Sequence, residues 1–249
     1  MQEIRVFFFA VALLCCAAGL ATAAGNETND SFSRAKKMLA RQVYHGHRTT
    51  LYCGAAFDET GAVDLPGGFE TSKHRKRAAR VEWEHAVPAE NFGRAFKEWR
   101  EGHPRCMSGG RPFRGRKCAE MVNMEYRRMQ ADMYNLFPAI GAVNAVRGNR
   151  QYAELPGVAP AFGSCKAKVN GNRFEPPARA RGQVARAALY MADTYARYRL
   201  SRQQRQLFEA WDKAYPVDEW ECIRTRRIER LQDNENRRVK EPCQQAGLW

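Results

Sequence analysis

The chain has 249 residues, of which 44% are hydrophobic and 27% charged, with 41 lysines and arginines against 27 acids and a formal net charge of +14. That length suits one large domain or two small ones, and the composition is not that of a low-complexity chain. So large a basic excess favours polyanionic partners: nucleic acid, anionic lipid, cell-wall polymer or acidic glycan.

Residues 1–24 read as a secretory signal peptide. Arg5 gives a positive start, 6–14 is almost wholly apolar, and Ala21-Thr22-Ala23 offers a small-x-small cleavage site. The apolar run is short for a membrane span and small residues end it. Nothing later resembles a span, so the mature chain, 25–249, is expected to be soluble, monomeric and free of the membrane, in the periplasm or the medium. It keeps Cys53, Cys106, Cys118, Cys165, Cys222 and Cys243. An even number in an exported chain argues for disulfides, whose pairing stays open. A zinc site needs closely spaced ligand pairs, and the nearest cysteines are 12 positions apart.

Asp30 or Ser31 can cap a helix with the apolar stripe Phe32, Ala35, Leu39 and Val43, and 49–53 reads as a short strand. A turn-rich stretch at 64–68 leads to the basic loop 73–77. Val81, Trp83 and His85 alternate with Glu82, Glu84 and Ala86, a half-buried strand that Pro88 stops. Helical patterns follow at 92–99 and 120–134, separated by a long loop at 102–117 rich in Gly, Pro and Arg. Pro138 is expected to break the chain, 141–147 opens a short helix, and 151–173 reads as loops and short strands. Behind these, Pro176-Pro177 start a helix reaching about Arg199. Ser201 with Gln204, and Asp218 with Glu221, make capping-box pairs for two more, ending near Tyr215 and Leu231. The expected fold is a single mixed α+β domain with a helical C-terminal third.

Chemistry concentrates in Arg80-Val81-Glu82-Trp83-Glu84-His85-Ala86-Val87-Pro88-Ala89. Glu84 can hold a hard divalent cation through oxygen, and His85 suits proton transfer near neutral pH. Strand neighbours point to opposite faces, so both serve one site only if the strand ends or bulges there.

This segment and R-V-E-W-E-H-x-V-P-A, D-M-Y-N-L, V-N-x-x-R-G-N, F-G-S-C, E-P-P-A-R-A-R-G, L-S-R-Q-Q-x-Q-L-F and W-x-K-x-Y-P-V-x-x-W-E-C, in that order from about Tyr52 to Cys243, resemble bacterial endonuclease I. The resemblance implies a periplasmic or secreted nuclease with a ββα-metal (His-Me) finger. It implies His85 as general base, Glu84 and Asn144 as metal ligands, Asn135 as the residue orienting the histidine, and Arg116 as the holder of the scissile phosphate. Departures stand at Gln130, where the family has a carboxylate, at Tyr134, where it has histidine, and at Ala142 and Val146, where it has acids. One carboxylate and one amide leave most of the coordination sphere to water and phosphate, which suits Mg²⁺, with Mn²⁺ or Ca²⁺ as substitutes. The expected reaction is non-specific cleavage of DNA, with RNA open, to 5′-phosphate products. Phosphate contacts are expected from the loops 73–77 and 111–117 and from Arg179, Arg181 and Arg186. A non-catalytic binder of acidic polymer explains the charge and cysteines as well, but not the set Glu84, His85, Asn135 and Asn144.

Overall fold

A computed structural model describes residues 25–249; the segment read as a signal peptide lies outside the described residues. Helix α1 (Phe32–Met38) starts at Ser31, whose hydroxyl accepts the Arg34 N–H. It runs on through one π turn, Leu39–Val43, and buries Ala35, Leu39 and Val43, as the stripe predicts. The strand expected at 49–53 is a turn. The Gly54 and Ala55 amides fold back onto the Thr50 carbonyl and hydroxyl, leaving one isolated bridge, Thr49 to Ala56.

The elements that follow are α2 (Arg75–Ala78), β1 (Val81–His85), α3 (Ala89–Gly93), α4 (Lys97–Arg100), the hairpin β2 (Met107–Ser108) and β3 (Arg111–Pro112), α5 (Arg116–Val122), α6 (Met124–Gln130), a 3-10 turn at Met133–Asn135, β4 (Leu136–Ile140) and α7 (Gly141–Arg147). The helix expected at 92–99 is two short ones because Phe96 turns extended and buries its ring edge-on against Tyr126. The pattern at 120–134 likewise divides. Asn123 is extended, ends α5 and caps α6 by accepting the Tyr126 N–H.

Strand β1 pairs antiparallel with β4, with Glu84 opposite Phe137 and His85 opposite Leu136. With α7 directly behind β4, this is a β-β-α unit. Pro138 does not break it. Proline sits within β4 opposite Trp83, where a two-stranded ribbon leaves an edge that needs no N–H, and its carbonyl accepts the Leu51 N–H at 2.8 Å. Strands β5 (Gln151–Tyr152), β6 (Pro160–Phe162), β7 (Cys165–Asn170) and β8 (Arg173–Glu175) form a sheet in the order β5-β8-β7-β6.

The C-terminal third is helical: α8 (Ala178–Thr194), α9 (Arg202–Ala214), α10 (Glu219–Gln232) and α11 (Arg237–Gln245). Ser201 and Asp218 cap α9 and α10 as predicted. The reciprocal halves of the two boxes do not form, because Gln204 reaches the Tyr152 carbonyl and Glu221 takes Arg186. Helix α11 has no clear apolar stripe in the sequence; it buries only Val239 and Cys243 and is tied to α10 by the Cys222–Cys243 disulfide. The other bridges are Cys53–Cys165 and Cys106–Cys118.

These helices brace the backbone leading into β4. The Arg224 guanidinium donates to the Met133 and Leu136 carbonyls, each at 2.8 Å. The buried Asp132 carboxylate accepts from the Tyr190 and Tyr195 hydroxyls and from Gln232. Such a network fixes one backbone arrangement because every unmade bond would leave a buried polar group unsatisfied. Among the described residues no helix is long and apolar enough to cross a membrane.

Candidate active site

The end of β1 opens onto a cleft of about 540 Å³ bordered by Phe32, Trp83, Glu84, His85, Arg116, Asn144 and Arg147, among others. Four of the five side chains singled out in the sequence therefore meet, although β1, α5 and α7 supply them from separate parts of the chain. Glu84 and His85 both border it because β1 stops at His85. The next amide, Ala86 N–H, bonds to the Asn135 carbonyl, and the chain turns away at Pro88.

Asn135, the fifth, is fully buried and is not among the residues bordering the cleft, and its side-chain hydrogen bonds go to Val87 and not to the imidazole. Its Oδ1 accepts the Val87 N–H at 2.7 Å and its Nδ2 donates to the Val87 carbonyl at 3.0 Å. It pins the backbone two residues past His85.

His85 is 7% exposed. Its Nε2 lies 2.9 Å from the Gln130 carbonyl oxygen, which can only accept. That nitrogen carries the proton, and the neutral ring keeps its lone pair on Nδ1. Phe32 packs against the imidazole, with centroids 4.9 Å apart, and the Arg116 guanidinium lies over the same phenyl ring, 5.2 Å from its centroid. Burial, helped by the Arg116 charge, pushes His85 down to about 3. The ring is therefore a free base at any ordinary pH.

Glu84 is 3% exposed. Its Oε1 accepts from the Tyr52 hydroxyl at 2.9 Å and faces the Arg147 guanidinium at 3.1 Å. Burial pushes its carboxyl up to about 7 against the opposing pull of Arg147 and Tyr52. Asn144 donates Nδ2 to Glu82 Oε2 at 2.9 Å. Glu82 also receives a two-pronged bond from Arg77. With Nδ2 committed to a carboxylate, the Asn144 amide turns Oδ1 elsewhere.

These groups suit a hard cation. Glu84 has only Oε1 engaged by protein bonds among the described residues, and Asn144 keeps an uncommitted carbonyl oxygen. One carboxylate and one amide oxygen on the wall of an open cleft leave the remaining positions to water and phosphate. Among the described residues no group of three or more His, Cys, Asp or Glu side chains could cage an ion.

Arg147 also borders the cleft, and residue-by-residue reading passes over it. It is 1% exposed, donates to the His85 and Ala86 carbonyls at 3.0 and 2.6 Å, and stacks over the Tyr152 ring. One guanidinium thus holds both the main chain at His85 and the carboxylate of Glu84. Its signal was the arginine in V-N-x-x-R-G-N. Glu82 was legible only as the residue sharing a strand face with Glu84, and Tyr52 carried no signal.

Two of the three phosphate contacts expected on α8, Arg186 and Arg181, are turned inward, while Arg179 stays exposed. Arg186 is buried between Glu221 and Asp212, Arg181 pairs with Glu175, and Arg179 donates to the Thr50 and Leu51 carbonyls. Arg181 and Arg186 turn inward because each finds a carboxylate there, which the sequence pattern cannot reveal. In the loop 73–77, Arg77 is spent on Glu82, while Lys73, Arg75 and Lys76 are exposed.

The chain matches the family model for endonuclease I over residues 31–243. It is 40% identical over 240 residues to an extracellular deoxyribonuclease of Aeromonas hydrophila, covering 93% of this chain and 98% of that protein. It is 42% identical to a periplasmic deoxyribonuclease of the same organism, over 85% of this chain and 86% of the other. The endonuclease-1 of Buchnera aphidicola subsp. Acyrthosiphon pisum is 34% identical, with 87% and 83% covered.

Proposed function

We propose that this chain, which belongs to the endonuclease I family, hydrolyses internal phosphodiester bonds of DNA, and of RNA, with little regard for sequence and leaves 5′ phosphates. Its nuclease relatives are named extracellular and periplasmic deoxyribonucleases, and this protein works in the same setting, outside the cytoplasmic membrane. The reading rests on one observation: Glu84, His85, Arg116 and Asn144 border a single cleft.

Glu84 and Asn144 would hold one divalent cation, Mg²⁺ with Mn²⁺ or Ca²⁺ as alternatives. The bound ion supplies charge stabilisation for the phosphate and for the departing 3′ oxygen. His85 Nδ1 takes a proton from water as the water oxygen attacks phosphorus. The P–O3′ bond breaks, the 3′ oxygen acquires a proton from solvent, and the phosphate stays on the 5′ side. Arg116 holds a non-bridging phosphate oxygen through the attack. The Gln130 carbonyl keeps the proton on Nε2, so the base faces the substrate in one tautomer. Arg147 and Asn135 hold the main chain at 85–87 and prevent the ring from drifting; a shift of about 1 Å can cost on the order of 10²-fold in rate.

The test is incubation of the purified protein with plasmid duplex, single-stranded DNA and RNA, each with Mg²⁺ and with EDTA. The expected result is Mg²⁺-dependent, EDTA-sensitive endonucleolytic loss of all three, with fragments that a ligase can join without prior phosphorylation. Fragments bearing 3′ phosphates would reverse the assigned direction of attack.

A further inference from the structure

Between α4 and α5 the chain makes a short arm. Strands β2 and β3 pair Met107 with Pro112 and Ser108 with Arg111. Gly109 and Gly110 form the two-residue turn, both at positive φ (55° and 73°), as a type I′ hairpin requires. Cross-strand partners share a face of a ribbon. Met107 and Pro112 thus make a small apolar face, and Met107 is 49% exposed.

The arm is held at its base. Cys106, just before β2, is bonded to Cys118 in α5, and the Gly115 amide bonds to the Trp99 carbonyl. Helix α5 begins at Arg116, on the wall of the reaction cleft. Five residues from Arg111 to Arg116 span at most about 18 Å, roughly five steps along one strand of a duplex at ~3.4 Å each. From His103 to Lys117 there are five arginines and lysines and no aspartate or glutamate. Arg105 and Arg111 are exposed, and no carboxylate pairs with either among the described residues.

We propose that the β2–β3 hairpin enters the minor groove of a duplex beside the scissile phosphate, with Met107 and Pro112 as the wedge and Arg105 and Arg111 on the flanking phosphates. Methionine and proline are among the side chains that lever open base steps from that groove. The tip, Ser108-Gly109-Gly110, carries no amide or carboxylate for reading base edges, which fits entry without sequence choice. An exposed methionine among cations also suits an anionic bilayer, but the tether to Arg116 ties the arm to the cleft. The inference rests on the nuclease reading and adds that duplex is handled differently from single strand.

Two variants test it, Met107→Ser and the pair Arg105→Ala with Arg111→Ala, none of them in the cleft. Binding is read in EDTA, where no cleavage occurs, on a duplex carrying 2-aminopurine, and cleavage is read with Mg²⁺ on duplex and on the matching single strand. The wild type should brighten 2-aminopurine, and Met107→Ser should not. Met107→Ser should also lower kcat/KM on duplex about tenfold, the loss of one good contact, while single-strand cleavage stays within about twofold. The arginine pair should reduce the slope of log affinity against log salt by about 2. Equal losses on both substrates, no loss on either, or Met107-dependent binding to phosphatidylserine vesicles in place of the duplex signal would overturn the arm. Absence of wild-type cleavage on either strand form would instead defeat the nuclease reading, leaving the fluorescence result to judge the arm.

Discussion

Asn144 and Glu82 face each other across the β-β-α unit, with Nδ2 donating to Oε2 at 2.9 Å. A carboxylate accepts only, so the amide cannot rotate without losing that bond. The contact therefore fixes which end of Asn144 would meet a cation in the proposed site. Gly141 makes room for it: a Cβ there would lie 2.5 Å from the Arg77 carbonyl and 2.9 Å from Glu82 Oε1.

Glu82→Ala should accordingly weaken cation binding by about tenfold, as loss of a ligand's supporting partner typically does. Mn²⁺ binding followed by electron paramagnetic resonance checks this without reference to turnover. Glu82→Gln can still accept from Asn144 and should fall between the two. Unchanged Mn²⁺ affinity in Glu82→Ala would remove the orienting role.

His85 should stay neutral wherever the protein is folded. Its pKa lies near 3, pushed down first by burial, so the unfolded chain takes up a proton near ~6.5 that the folded chain refuses. The unfolded state binds more protons in that window, and stability therefore falls as pH drops, by about 1.4 kcal/mol per unit from this group. The His85 Cε1 proton resonance should not titrate between pH 8 and pH 5. A midpoint near 6.5 would contradict the buried, Arg116-facing environment.

Arg186→Ala should destabilise the fold by about 3–5 kcal/mol, because it strands the buried Glu221 carboxylate without its partner. Urea unfolding measures that loss. The salt dependence of DNA binding should not change, since this arginine faces the interior. A reduced salt slope would return it to the set of phosphate contacts.

Arg147→Lys should fail almost as fully as Arg147→Ala. The guanidinium serves the His85 and Ala86 carbonyls and the Glu84 carboxylate at once, and a lysine ammonium cannot match that fork. Expected is a drop of about 10² in kcat or more, with KM for DNA little altered. An active Arg147→Lys variant would reduce the residue to a packing role.

The parts legible in the sequence were those with local causes. Ser31, Ser201 and Asp218 cap helices where their hydroxyls and carboxylate predicted it, and the alternation from Val81 to His85 is β1 as observed. Pro138 was misread because the rule against proline in strands weakens at the edge of a two-stranded ribbon. The roles of Arg186 and Arg147 depend on carboxylates 35 and 63 positions away, and no local pattern carries such pairings. The residues proposed for catalysis were found through motif order, whereas their mutual supports, Glu82 with Asn144 and Gln130 with His85, emerge only once the chain is folded.

The most direct measurement is chemical rescue of His85→Ala on supercoiled plasmid with Mg²⁺ present. The account predicts a folded, DNA-binding variant with no measurable cleavage, and partial return of cleavage when imidazole fills the vacated space, rising with the neutral fraction of the added base. Near-normal nicking by His85→Ala without imidazole would contradict it.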